Sequence, residues 1–304
     1  MESTSTWLIT IGILSAVIAF DLVLAILRRN KETSMREAAI WTVIYVAAAI
    51  AFGYFMPNWT PSPTAQKEFF AGWLTEYALS VDNIYVFVLI FSRLQIDKTK
   101  QQLVLLLGII IALVLRGVFI AAGTAIITRF SSAFFIFGAF LIYTAYKLLR
   151  EDGNEEEEQE DSRIVKFMRS KGASSFTIAL ITLGVTDLVF ALDSIPAIFG
   201  ITKDPYIVVT ANIFALMGLR QLYFLLQGLL KRLVYLSKGL SIILAFIGVK
   251  MFFEAFHGVG IHEIAGIEVP HVSIEFSLGV IVSTLLITAV ASLTATRKDG
   301  SEII

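Results

Sequence analysis

The chain contains no cysteine, which removes disulfides, thiolate metal sites and thiol nucleophiles together. Charge is scarce as well: Asp, Glu, Lys and Arg make up only 16% of the residues, well short of the roughly one quarter usual in a soluble domain. The formal net charge is −1, so the distribution of charge matters more than its sum; no nucleic-acid partner is expected. Of six prolines, three fall in Pro57-Asn-Trp-Thr-Pro61-Ser-Pro63, which marks that segment as a loop where a helix cannot continue. Histidine occurs three times, as His257, His262 and His271, at or beyond the end of one apolar run.

What the chain has in excess is apolar residues, 57% of the total, with a mean hydropathy of +0.78. Such a balance describes an integral membrane protein whose solvent is the bilayer. At about 20 apolar residues per crossing, the sequence predicts nine spans, near 7–27, 38–56, 69–91, 101–127, 132–149, 174–201, 206–228, 237–256 and 274–295. Alternate loops are rich in Lys and Arg: Arg28, Arg29, Lys31 and Arg36; Arg93, Lys98 and Lys100; Lys231, Arg232 and Lys238; Arg297 and Lys298. The loops between those hold only Lys67, Arg129 and Lys203. By the positive-inside rule the amino terminus is outside and the carboxyl terminus cytoplasmic, which an odd span count satisfies. No basic residue precedes the first apolar run, so it reads as a span and not as a cleavable signal. The loop from Glu151 to Lys171 opens with the acidic run Glu155 to Glu158 and turns basic at Arg163, Lys166, Arg169 and Lys171. It reads as a solvated linker followed by a basic segment at the lipid headgroups.

Two stretches inside the apolar runs match each other. They are Glu76-Tyr-Ala-Leu-Ser-Val-Asp82-Asn83-Ile84 and Asp187-Leu-Val-Phe-Ala-Leu-Asp193-Ser194-Ile195. An unpaired carboxylate at such depth costs about 2.5–3.5 kcal/mol on insertion scales, so these four acids call for a function. The likeness extends to Leu115-Arg116 against Leu219-Arg220, and to Ala139-Phe140-Leu141 against Ala245-Phe246-Ile247. Spans three to five therefore repeat as six to eight, and three being odd, the second copy enters the membrane inverted. The expected organisation is two amino-terminal spans (1–68), repeat 1 (69–150), the cytoplasmic loop (151–173), repeat 2 (174–257), and an outer loop, ninth span and tail (258–304).

Within the first motif Glu76, Ser80 and Asn83 stand at i, i+4 and i+7, one face of a helix; Asp187, Ala191 and Ser194 do likewise. On an unbroken helix Asp82 and Asp193 point about 120° away from those faces. Pro196 is expected to unwind the second copy near Leu192 and free a carbonyl beside Asp193. Arg116, Arg220 and Lys250 are the candidates to balance the charge. Four motif acids against three cations leave one negative charge at depth, suited to a cation. Asp21, near the end of its span, is expected to pair with Arg28 or water. Carboxylate, amide and hydroxyl oxygens favour Mn, Mg or Ca, whereas Zn and Cu draw on His and Cys. The candidate ligands are Glu76, Asp82, Asn83, Asp187, Asp193, Ser194 and Asn212. The three histidines, with Glu254, Glu263, Glu268 and Glu275, form either an outer metal-capturing loop or a wet polar one.

The motifs, together with Asp204-Pro205-Tyr-Ile-Val-Val-Thr-Ala-Asn212, Gly218-Leu-Arg220 and Phe246-Ile-Gly-Val-Lys250-Met251, resemble the TerC family, close to its Alx branch, over nearly the whole chain. That resemblance implies a bacterial inner-membrane manganese exporter. Glu76, Asp82, Asp187 and Asp193 match the acids of the family's two motifs. Many relatives carry a glutamate where this chain has Gly184, which weakens any transfer of proton coupling. The reading is a non-enzymatic, all-α secondary transporter exporting Mn²⁺, with proton exchange one coupling open to it. No cofactor is expected; the divalent cation and the lipid bilayer are the expected partners. Ca²⁺/H⁺ exchange and a non-transporting membrane component of a tellurium-resistance or metal-stress complex are the alternatives. An intramembrane aspartyl protease is a poorer match: Gly184-Val-Thr-Asp187 resembles its signature, but the duplicated acids stay unexplained.

Overall fold

A computed structural model describes residues 3–27, 34–130, 132–150, 163–226, 233–264 and 267–298. The architecture is helical. In chain order the elements are α1 (Thr4–Leu27), α2 (Met35–Phe55) with a short 3₁₀ turn (Met56–Asn58), α3 (Ala65–Arg93), α4 (Lys98–Arg129), α5 (Ala133–Arg150) and α6 (Arg163–Ser170). There follow α7 (Ser175–Phe199), α8 (Pro205–Met217), α9 (Leu219–Leu226), α10 (Leu236–Gly258), the two-residue strands β1 (Glu263–Ile264) and β2 (Ile267–Glu268), and α11 (Ile274–Lys298). The strands pair antiparallel.

Local chemistry places the helix starts. Ser34 caps α2 by accepting from the Glu37 N–H at 3.2 Å, and Ser174 caps α7 by accepting from the Thr177 N–H at 3.2 Å. Asp204 caps α8 through the Tyr206 N–H at 2.9 Å, with Pro205 in the first turn, where its missing N–H is no loss. Helix α2 stops at the Pro57 segment, as its prolines require.

Eight of the described helical segments are long and apolar enough to cross a membrane: Thr4–Leu27, Met35–Asn58, Lys98–Ile127, Ala133–Arg150, Ser175–Phe199, Pro205–Leu225, Leu236–Gly258 and Ile274–Thr296. The sequence reading has nine. Helix α3, the counterpart of its third span, has 29 residues with Glu76 and Asp82 near its middle, and is not among the eight.

Helix α3 instead takes the centre of the packing. It contributes Ala71, Ala78 and Leu79 to a core shared with α5, α7 and α10; Ile84, Phe87 and Phe91 to one with α4, α6, α7 and α9; and Phe69 and Trp73 to one with α1, α2 and α8. Around this centre α3 packs on α8, α4 on α7, and α5 most extensively on α10. The outer helices present large apolar side chains outward, among them Leu8, Val43, Ile136 and Ile287, as lipid contact demands.

One expectation is corrected. Helix α7 runs through Pro196 to Phe199, with the Gly200 N–H donating to the Pro196 carbonyl oxygen at 2.9 Å; the ring has no N–H to offer the Leu192 carbonyl, but the helix does not unwind there. The interruption falls at Gly218, which ends α8 before α9 begins. The acidic run 155–158 lies outside the described residues, and the basic segment after it forms α6, which buries Val165 and Met168 in the core.

Helices α5 and α10 cross through Gly138 and Gly248. A Cβ at Gly138 would stand 2.8 Å from the Gly248 carbonyl oxygen, and one at Gly248 would stand 2.9 Å from the Gly138 carbonyl oxygen. Close backbone approach through small residues is a main source of helix association in lipid. Gly248→Ala should therefore destabilise the fold by about 1–3 kcal/mol, whereas Gly12→Ala, with open space around it, should not. Thermal unfolding of the two variants in detergent checks this.

Candidate cation site

The first acids of both motifs meet at one arginine. Arg116 of α4 donates from Nε to Asp187 Oδ2 at 2.9 Å and from Nη2 to Asp187 Oδ1 at 3.1 Å, a two-pronged grip on α7. Its Nη1 donates to Ser194 Oγ at 3.3 Å and forms an ion pair with Glu76 of α3. Arg116 is 1% exposed, Glu76 0% and Asp187 3%, so this triad lies out of reach of lipid and bulk water. With both carboxylates ionised it carries one negative charge.

The helical faces are as the spacing predicts. Glu76, Ser80 and Asn83 are buried on α3, as are Asp187, Ala191 and Ser194 on α7. Asp193, off that face, is half-buried. Asp82 belongs to α3, but its side chain lies outside the described residues, as do Arg28 and Arg29. Asn212 is buried on α8, the helix that packs on α3.

Unmatched polarity is buried on α3 and α8. The second oxygen of Glu76, the hydroxyls of Thr75 and Ser80, and the Asn212 amide nitrogen are buried without a hydrogen-bond partner among the described residues. Buried polar groups are satisfied in the great majority of native structures; the oxygens suit water or a hard cation, and the amide nitrogen, a donor, suits water. Among the described residues, no group of three or more His, Asp or Glu is arranged to hold a metal ion. Gly184 sits against α4: a Cβ there would be 3.2 Å from Ile111 Cγ2.

The other two cations have separate tasks. Arg220 of α9 pairs with Asp21 of α1, and Asp21 thereby finds a partner across the bundle. The tertiary fold decides this, because 199 residues separate the two. Lys250 of α10 is 4% exposed and faces a cavity of about 570 Å³ at the end of the bundle where α3 begins and α7 and α10 finish. That cavity was not legible in the motifs. In it Thr64 and Thr202 donate to Glu68, and Lys203 donates to Glu254 at 2.9 Å. Beside it His257 and His262 bring their Nδ1 atoms to 3.1 Å, and His271 stacks on His257 at 4.6 Å between ring centroids.

Comparison with known proteins agrees with the motif resemblance. A family model described as "Integral membrane protein TerC family" matches residues 61–300. An uncharacterized membrane protein of Mycobacterium bovis is 42% identical, the match covering 96% of this chain and 79% of the relative. Two relatives are named as a proposed membrane-bound redox modulator, Alx. That of Photorhabdus laumondii is 34% identical over 95% of each chain, and that of Escherichia coli K12 is 33% identical over 91% of this chain and 90% of its own. No solved structure matches.

The Asp21–Arg220 pair gives a direct test of the packing. Removing one member of a buried pair strands the other, at about 3–5 kcal/mol. Asp21→Asn and Arg220→Gln should each destabilise strongly, and the double variant by less than their sum, in a double-variant unfolding cycle.

Proposed function

This chain belongs to the TerC family of integral membrane proteins, and we propose that it is a secondary transporter carrying a hard divalent cation, Mn²⁺ foremost, out of the cytosol across the plasma membrane. The observation that carries the reading is the meeting of Glu76 and Asp187, one acid from each motif copy, at Arg116 in the buried centre. Acids at such depth are expensive, and two matched copies brought to one point suggest a site shared by two halves.

In this reading α3 is the ninth span, and α3–α5 and the segment from α7 to α10 are inverted repeats. Their packing supports it: α3 lies on α8 as α4 lies on α7, and α5 pairs with α10, a pattern unchanged when the two halves are exchanged. Transport then proceeds by rocking the halves about the shared site, the recurring scheme of such repeats. Glu76 and Asp187 form the centre, Asp82 and Asp193 complete the acid set, and Ser194, Asn83 and Asn212 add neutral oxygens. The oxygen-only chemistry favours Mn²⁺, Mg²⁺ or Ca²⁺ over Zn²⁺ or Cu²⁺. The absence of cysteine closes thiol–disulfide chemistry to this chain, so the redox role in the Alx name has no thiol here to act through.

In proteoliposomes ⁵⁴Mn²⁺ flux should fall to background for Glu76→Gln, Asp82→Asn and Asp193→Asn, with membrane insertion intact. Wild-type flux in an Asp193→Asn variant would remove that residue from the site. An imposed pH gradient should drive the wild-type flux if protons are exchanged, and Ca²⁺ should compete poorly if Mn²⁺ is the cargo.

A further inference from the structure

We infer that Arg116 is a tethered stand-in for the cargo: its guanidinium occupies the acid pair in the resting state, stays anchored on Asp187, and yields Glu76 to the arriving cation. This rests on the transporter reading and adds a division of labour within the site.

The geometry is asymmetric. Asp187 is gripped by two nitrogens, Nε and Nη2, and Ser194 of the same helix takes a further contact from Nη1. Glu76 is met at Nη1, the nitrogen that also reaches Ser194. A two-pronged pair is the harder to break, so the bond that opens is the one to Glu76. The neighbourhood favours the same end. Ser80, one turn on from Glu76 on the same face of α3, has a hydroxyl that no described residue bonds, and the second Glu76 oxygen is also unbonded. A purely structural buried ion pair is expected to have its remaining polar groups satisfied; these spare oxygens leave the Glu76 side with capacity to hold an arriving cation.

The charges fit exchange as well. With both acids ionised, the triad's single negative charge spares the apolar interior a bare pair of carboxylates when no cargo is present. Glu76 and Arg116 both belong to the first proposed half and Asp187 to the second, so the anchored Arg116–Asp187 pair keeps the halves tied together while Glu76 exchanges its partner.

The test is Mn²⁺ binding to the purified full-length chain, read from the electron paramagnetic resonance of free Mn²⁺, alongside ⁵⁴Mn²⁺ flux. Arg116→Gln removes the internal competitor and should bind Mn²⁺ about 5- to 150-fold more tightly, the usual span of coupling between two binding events. Its flux should fall, because nothing helps expel the ion. Arg116→Lys keeps a charge without the fork and should lie between, and it decides the matter alone if Arg116→Gln does not fold. Glu76→Gln should abolish binding in either background. Wild-type affinity in both arginine variants, or weaker binding, would overturn the inference and leave Arg116 a structural tie. The same rank order with Ca²⁺ or Mg²⁺ but not Mn²⁺ would uphold the displacement and overturn the manganese reading. Binding of no divalent cation by any form would sink both.

Discussion

A guanidinium closed between two carboxylates, with none of the three reaching lipid or bulk water, is the constraint on which the arrangement of this protein depends. Taking any one of these ions into a low-dielectric interior costs several kcal/mol even after relaxation, so they must be brought together. Arg116, Glu76 and Asp187 come from α4, α3 and α7. Those helices therefore share the middle, and α1, α2, α5 and α11 are left to present apolar side chains outward.

Acids and bases are sorted along the bundle. At one end Asp21 meets Arg220, in the centre Glu76 and Asp187 meet Arg116, and at the other end Glu68, Glu254, Lys203 and Lys250 share an open cavity. The central set is closed, the Asp21–Arg220 pair is largely buried, and the third set admits solvent. Under the proposed transport function this describes a central site sealed from one side by packing and approached on the other by a polar vestibule. Lys250, at the edge of that vestibule, is a second buried cation close to acids from both proposed halves.

Much of this was readable without coordinates. Apolar runs located eight of the helical crossings, and the i, i+4, i+7 spacing identified the buried faces of α3 and α7, because helical geometry fixes which side chains share a side. Pro196 was misread because a proline removes one helical bond without having to end the helix, and bonds beyond it, such as Gly200 N–H to the Pro196 carbonyl, carry α7 on. The interruption moved to Gly218, whose lack of a side chain made no distinct signal among twenty glycines. The partner of Asp21 was sought nearby in the chain, yet charge in a membrane interior pairs with whatever the fold brings within reach.

The sequence by itself determined that this chain lives in a bilayer, that it carries two copies of an acidic motif, and which face of each motif helix turns inward. These follow from hydropathy, repetition and the helical period, all properties of neighbouring residues. Only the tertiary structure decided that Glu76 and Asp187 share Arg116, that Arg220 serves Asp21, and that Lys250 borders a cavity. Such pairings join residues far apart in the chain, and their energies depend on distance and burial that no local pattern encodes.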